Sequence, residues 1–203
     1  MSMTLFHSPG SCSDGVAFLL EEIGIPYDVQ IIDLKSKAQL SPEYQATNPK
    51  GKVPALLRPD GSVLTEFQAI AFWLGRSNPQ AGLIGPELEE QARMLSMLDY
   101  LVASIHMRGF TLLKVPQKFI ADPQAQEALR AHGRAEVEKG LANVAEQLGA
   151  NEYLFGRLSI VDGALFYLLR WAKETGVEMA ENLDALHARL MARPAAARAL
   201  VRR

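Results

Sequence analysis

Apolar positions along the chain follow two different rhythms. From residue 3 to about residue 76, short apolar runs alternate with amphipathic stretches. MTLFH (3–7) is β-prone, and the loop Ser8–Ser13 leads into Asp14–Ile23, where apolar residues recur with the helical period and stop at Gly24. YDVQIID (27–33) alternates with the strand period, so strand, helix and strand predict a βαβ unit with parallel strands and a right-handed crossover. A short helix is predicted near Pro42–Ala46. NPKGKVPALLRPDGSVL sets two apolar runs, Ala55–Leu57 and Ser62–Leu64, around Pro59-Asp60-Gly61, which is a hairpin signal. A helix from about Glu66 to Arg76 closes this half.

After Ala81 no strand-like run remains and the helical period takes over. LEEQARMLSMLDYLVASIHMRGFTLL carries Leu88, Ala92, Leu95, Leu98, Leu101 and Ile105 at three- and four-residue spacing, predicting one long amphipathic helix. QAQEALRAHGRAEVEKGLANVAEQLG predicts a second. LSIVDGALFYLLRWAKETG is apolar on nearly all sides and is expected at the centre of the helical half. LDALHARLMAR and PAAARALVRR predict two short helices, with Pro194 at the first position of the last. The Gly/Pro-rich SNPQAGLIGP (77–86) reads as a linker, so a small α/β domain over 1–80 is expected to join an all-α domain over 87–203.

Composition and charge narrow the function classes. Of 203 residues, 48% are hydrophobic and 22% charged, enough to bury a sizeable core. A net charge of -2 gives no basic field to collect phosphates, which disfavours nucleic acid as a partner. Arg189, Arg193, Arg198, Arg202 and Arg203, spread over helical turns, predict a solvated face. One cysteine cannot form an internal disulfide, and MSMTLFHSPGSC lacks the basic flank and apolar stretch of a secretory signal; both point to the reducing cytoplasm. No window reaches the ~18 apolar residues of a membrane span. The four histidines stand far apart without metal-ligand spacing, so no metal is expected.

Three stretches carry candidate chemistry. Cys12 lies in a Gly/Ser loop at a helix start, where outward N–H groups and the positive end of the dipole favour thiolate over thiol; a reactive thiol of lowered pKa and a merely buried cysteine are both open. Ser8, Ser11 and Ser13 are alternative hydroxyl donors in the same loop. Val53-Pro54 directly precedes a strand, where proline leaves the main chain free to face something else. The X–Pro statistics alone favour a trans bond. Thr65 and Glu66 open a helix, and Glu66 with the amides around it suits either simple capping or the ammonium and carboxylate of an amino-acid ligand. Ser159-Ile160-Val161-Asp162 has the spacing of a reciprocal capping box, a folding element rather than a site.

Taken in order, FHSPGSCS, NPKGKVPALLRPDGSVLTE, SIVDGALFYLLRW and RPAAARAL resemble the bacterial beta-class glutathione transferases over almost the whole chain. The resemblance implies a thioredoxin-like N-terminal domain, an all-α C-terminal domain, a homodimer, and glutathione as co-substrate. It implies that Cys12, with Ser11 or Ser13, lies against the glutathione sulfur and can form a mixed disulfide with it. Val53-Pro54 becomes a cis-proline segment pairing with the cysteinyl backbone of the tripeptide. Glu66 then engages the γ-glutamyl end, Lys37 approaches the glycyl carboxylate, and Lys52 belongs to the same set. His106, with His7 and Phe110, faces the pocket for a small hydrophobic electrophile. Phe67 departs from the family, which commonly has Ser or Gly there; the change removes a hydroxyl donor and adds bulk beside the γ-glutamyl carboxylate. His7 replaces a common Tyr, and Met107 a common Lys.

Two functional expectations follow. The first is a glutathione transferase acting on small hydrophobic electrophiles, with glutathione-dependent peroxidase or disulfide reductase activity as a variant of the same chemistry. The second is a transferase-like protein that binds a ligand or partner without catalysis, for which Phe67 is the argument. A thiol oxidoreductase centred on Cys12 is a weaker third reading; without a resolving cysteine its cycle depends on glutathione.

Overall fold

The structure, a computed structural model, describes residues 2–201. Strand β1 (Met3–His7), helix α1 (Ser13–Ile23) and strand β2 (Tyr27–Ile31) form the βαβ unit, with β1 and β2 parallel and Met3 opposite Tyr27. Gly24 ends α1 in the left-handed region (φ 75°), returning its N–H to Leu20 O. Helix α2 (Pro42–Thr47) is capped by the Ser41 hydroxyl, which accepts from Tyr44 N–H. Strands β3 (Ala55–Leu57) and β4 (Val63–Thr65) form the hairpin, and β3 adds antiparallel to β1, giving the order β2-β1-β3-β4. Helix α3 (Phe67–Ser77) follows β4 directly. This mixed sheet with its helices is the thioredoxin-like half.

The remaining described segments are helical: α4 (Leu88–Asp99), a π-helical stretch (Tyr100–Phe110), α5 (Thr111–Lys114), α6 (Pro123–Leu148), α7 (Ile160–Thr175), α8 (Glu181–Met191) and α9 (Pro194–Val201). The single helix expected from residue 88 onward is therefore three hydrogen-bonding regimes in one rod. Thr111 N–H reaches His106 O, five residues back, and the Thr111 hydroxyl donates to the same carbonyl at 3.0 Å. Apolar spacing over so short a stretch cannot separate the wider turn from the α turn. None of the described helices is long and apolar enough to cross a membrane.

Helix α7 is the centre of the molecule, as its uniformly apolar sequence predicts, with twelve of its residues buried. It crosses α1 where both helices lack a side chain. A Cβ on Gly15 would sit 2.1 Å from Gly163 O, and one on Gly163 would sit 2.7 Å from Leu19 Cδ1. Polar ties span the same crossing: Arg170 NH1 lies 2.6 Å from Asp14 Oδ2, and the Trp171 indole N–H donates to Gly10 O at 2.9 Å.

The arginines near the end do not all form a solvated face. Arg193 donates to both carboxylate oxygens of Glu22 through Nε and Nη2, and Arg198 Nε lies 2.7 Å from Glu21 Oε2, so both bind the C-terminal segment to α1. Charge spacing along a helix gives no sign of an acidic pair on a distant element. Arg202 and Arg203 lie outside the described residues.

Ser159 and Asp162 form the expected capping box at the start of α7, fully buried, with Ser159 N–H donating to Asp162 Oδ2 at 2.8 Å. Burial, opposed by the Ser159 hydrogen bonds, pushes the Asp162 carboxyl up to about 7, and its Oδ1 is buried without a partner. The protonated acid is thus favoured in the fold. Its contribution to stability is complete below the ordinary value of 3.8 and is lost as pH rises through about 7. Chemical denaturation of the parent and Asp162→Asn across that window should show the parent losing stability relative to the variant as pH rises; a constant difference would refute the shift. Ser159→Ala should cost ~0.5–2 kcal/mol at any pH.

Candidate active site

A cavity of about 260 Å³ opens between the thioredoxin-like half and the π-helical stretch. One wall is Cys12, Asn48, Lys52, Val53, Pro54, Thr65, Glu66, Phe67 and Gln68; the other is Val102, Ala103, His106 and Met107. The first is rich in main-chain polar groups and the second is largely apolar.

Three turns of backbone build the polar wall. Tyr44 OH and Asn48 Nδ2 donate to Lys52 O at 2.6 and 2.7 Å, which fixes the approach to the cis Val53-Pro54 bond. Ladder pairing on β3 begins at Ala55, so the Val53 main chain lies outside the sheet and faces the cavity. Glu66 precedes α3 with φ 70°, a left-handed conformation unusual for a side-chain-bearing residue. That turn leaves the first N–H groups of α3 without intrahelical acceptors, and no side chain caps them. The exposed Glu66 carboxylate meets Lys50 Nζ at 2.7 Å, and Lys50 also donates to Thr65 Oγ1 at 2.9 Å.

Cys12 lies at the start of α1, half-buried, with Sγ 3.6 Å from Val53 O, which accepts its weak hydrogen bond. Burial pushes the thiol up to about 12; local N–H groups oppose this, and the charges of Asp14 and Glu66 add to it. Of the two readings open from the sequence, this direction favours the buried cysteine over the activated thiol. A helix end favours an anion by ~0.3–1 kcal/mol, whereas burial shifts a titrating group by up to 3–5 units.

Several expected site residues lie elsewhere. Ser13 Oγ is fully buried, 2.7 Å from His7 Nδ1 and 2.7 Å from Ser11 Oγ, and receives the Ser8 N–H at 3.0 Å. His7 Nε2 lies 3.7 Å from Asp14 Oδ1, in the cluster that Arg170 completes. These groups brace the Cys12 loop from behind and do not line the cavity. His7 is 1% exposed, so it does not face a second substrate. Phe110 is fully buried with its ring 5.6 Å from that of Trp171, again behind the cavity. Lys37 is exposed on the loop before α2 and is not part of the lining. The structure does bring together Cys12, Lys52, Val53, Pro54, Glu66, Phe67 and His106.

Phe67 lines the cavity at the first turn of α3 while its ring turns inward. The residue is 4% exposed, its ring packs edge-on to Tyr167 at 5.5 Å, and its Cε2 would lie 2.8 Å from a Cβ on Gly15. The ring therefore packs into the core and adds little bulk to the cavity. Sequence reasoning missed Asn48, Lys50, Gln68, Val102 and Ala103. Gln68 follows from placing the helix start one residue later; the others depend on tertiary packing. Among the described residues no group of His, Cys, Asp and Glu side chains is placed to hold a metal ion.

Two measurements check this geometry. The alkylation rate of Cys12 against pH should show a midpoint well above the ordinary thiol value of 9.0; a midpoint at or below it would refute the burial effect. Phe67→Ser should lower stability by ~3–5 kcal/mol, the range for emptying a buried aromatic site, without tightening glutathione binding. Tighter binding in that variant would place the ring in the ligand pocket.

Comparison with known proteins identifies the family. Residues 10–77 match the family model described as glutathione S-transferase, N-terminal domain. Glutathione S-transferase GstA of Escherichia coli O157:H7 is 35% identical over 197 residues, covering 95% of this chain and 94% of that protein. A bacterial beta-class glutathione S-transferase of Sphingomonas chungbukensis superposes with a TM-score of 0.85 at 30% identity, covering 97% and 96% of the two chains. A sphingomonad glutathione S-transferase complexed with glutathione gives 0.84 at 30% identity over the same shares. With this likeness running nearly end to end, and with a cis-proline turn and open helix start converging on one cleft, the chain belongs to the glutathione S-transferase family, in its bacterial beta-class-like branch.

Proposed function

We propose that the cavity binds glutathione against its polar wall and joins its sulfur, as the thiolate, to a small hydrophobic electrophile held by the apolar wall. The observation that carries this reading is the convergence of three main-chain features, the open start of α3, the Val53 segment and the Cys12 loop, on one cleft. The α-carboxylate of the γ-glutamyl end fits the free N–H groups of Phe67 and Gln68. Its ammonium fits Glu66. The Lys50–Glu66 pair is about half-exposed on both sides, and such pairs contribute only ~0–1 kcal/mol, so a ligand ammonium can share or displace it. The cysteinyl backbone fits the Val53 main chain, and Lys52 offers a cation to the glycyl end.

Cys12 then acts as a neutral thiol beside the glutathione sulfur, donating a hydrogen bond rather than attacking. A donor there stabilises the bound thiolate, which is the form that reacts. With an aryl halide, the sulfur–carbon bond forms as the halide leaves with its electron pair, and the thiol proton has gone to solvent. Attack of Cys12 on glutathione disulfide, which would form a mixed disulfide and release one glutathione thiolate, is disfavoured because the attacking species is the Cys12 thiolate. Reduction of a hydroperoxide starts from the same bound thiolate, two glutathiones giving up two electrons to yield the alcohol, water and glutathione disulfide. The likeness to the beta-class enzymes supports a homodimer, and the lone cysteine suits a reducing cytoplasm.

Calorimetric titration with glutathione, followed by a panel of aryl halides, epoxides, hydroperoxides and mixed disulfides, tests the proposal. Binding, product formation from at least one electrophile, and an affinity about tenfold lower in Glu66→Gln (~1.4 kcal/mol) are expected. No binding at millimolar glutathione and no product would overturn it.

A further inference from the structure

His106 reaches the cavity from the π-helical stretch, on the side opposite the Cys12 loop, and its ring is held rather than free. It meets Tyr167 edge-on at 5.6 Å and Trp171 edge-on at 4.9 Å. Its Nδ1 lies 3.2 Å from Tyr167 OH. That distance alone leaves the direction of the hydrogen bond open, because either group can donate.

The phenolic proton of Tyr167 closes the choice. Tyr167 is fully buried, and among the described residues its hydroxyl has no hydrogen-bond partner except His106 Nδ1. Were Nδ1 protonated, the phenolic proton would be buried with no acceptor, a loss of ~1–3 kcal/mol. With Nδ1 bare, the hydroxyl donates to it and every buried proton is satisfied. Burial, with the neighbouring Cys12 adding, holds Tyr167 well above the ordinary phenol value, so the hydroxyl keeps its proton. Burial, followed by the charges of Lys114, Lys118 and Lys52, lowers His106 to about 4, so the imidazole carries one proton, not two.

We propose that Tyr167 fixes His106 as its Nε2–H tautomer, which makes His106 a hydrogen-bond donor into the cavity and not a general base. Nε2 has no partner among the described residues, and it is not among the buried atoms left unpaired, so it faces the open cleft. The ligand group it suits is an anionic or electron-rich atom at the junction of the two walls: the bound thiolate, or the position on the electrophile where negative charge develops. Tyr167 is then a positioning residue that touches no substrate. This role for His106 rests on the reading of the cavity as the glutathione and electrophile site; the tautomer itself does not.

The test combines a spectroscopic and a kinetic arm. Long-range proton–nitrogen correlation on protein labelled with nitrogen-15 histidine, with the His106 signals identified by their loss in His106→Gln, reads the tautomer directly. The expected result at neutral pH is a bare Nδ1 and a protonated Nε2, and in Tyr167→Phe a shift towards a mixture of both forms. In the kinetic arm, His106→Gln keeps an N–H donor without a base, whereas His106→Phe keeps neither. His106→Gln should retain kcat/KM within a few-fold of the parent, and His106→Phe should lose about tenfold or more. A protonated Nδ1 in the parent overturns the proposal, and so does His106→Gln falling as far as His106→Phe. A parent without transferase activity would instead overturn the transferase reading, and the parent's spectrum would still decide the tautomer.

Discussion

The distance between α1 and α7 governs the rest of the molecule. At the crossing, Gly15 and Gly163 bring backbone against backbone, and any side chain there would overlap a carbonyl or Leu19. Asp14, 2% exposed, sits beside the contact, and a buried carboxylate persists only with a partner; Arg170 of α7 supplies it. Trp171 reaches back to Gly10 O in the Cys12 loop and flanks His106 at 4.9 Å. Tyr167, one turn earlier, supports Phe67 on one side and His106 on the other. A single helix thus sets the loop bearing Cys12, the start of α3 and the imidazole in mutual register. The two walls of the cavity belong to different halves of the chain, and α7 touches both.

The same packing decides the chemistry of the cysteine. From its position alone, Cys12 resembles an activated thiol: a helix start, small neighbours, hydroxyls nearby. Enclosure works against the anion more strongly than the dipole works for it, and Asp14, held in place for the interface, adds a like charge. The acid that joins the halves therefore helps keep the thiol neutral. A thiol in that state keeps a proton that it can donate in a hydrogen bond. Its present acceptor, Val53 O, belongs to the segment proposed to hold the cysteinyl backbone.

Features written in local periodicity or local hydrogen bonding were legible in the sequence. The βαβ unit, the hairpin, the Gly24 stop and the Ser159–Asp162 box each depend on neighbours within a few residues. The likeness of four motifs to one family supplied the cis bond and the gathering of Val53, Glu66 and His106, which no spacing rule contains. What stayed hidden depends on distant partners. Phe67 turns inward because Gly15, on another helix, leaves room for its ring. Behind the loop, Ser13 bonds His7, and His7 lies beside the Asp14 that Arg170 pairs. Arg193 and Arg198 find Glu22 and Glu21 on α1. The π-helical stretch differs from an α-helix by less than one residue per turn, too little for an apolar pattern of its length to reveal.

The wider turn has a consequence for the site. His106, Val102 and Ala103 all lie on the π-helical stretch, and its different angular step sets which side chains face the cavity. Among them only His106 carries a polar atom to the apolar wall, and that atom is governed by a phenol beneath it. Lys52, Lys114 and Lys118 lie close enough to disfavour a second proton on the ring, so the wall offers an N–H without a resident charge. Opposite it stand a neutral thiol and the bare amides of α3. An anion entering between them meets donors from both sides that need no reorganisation to receive it, which is the condition under which a hydrogen bond in a partly dry cleft is worth most.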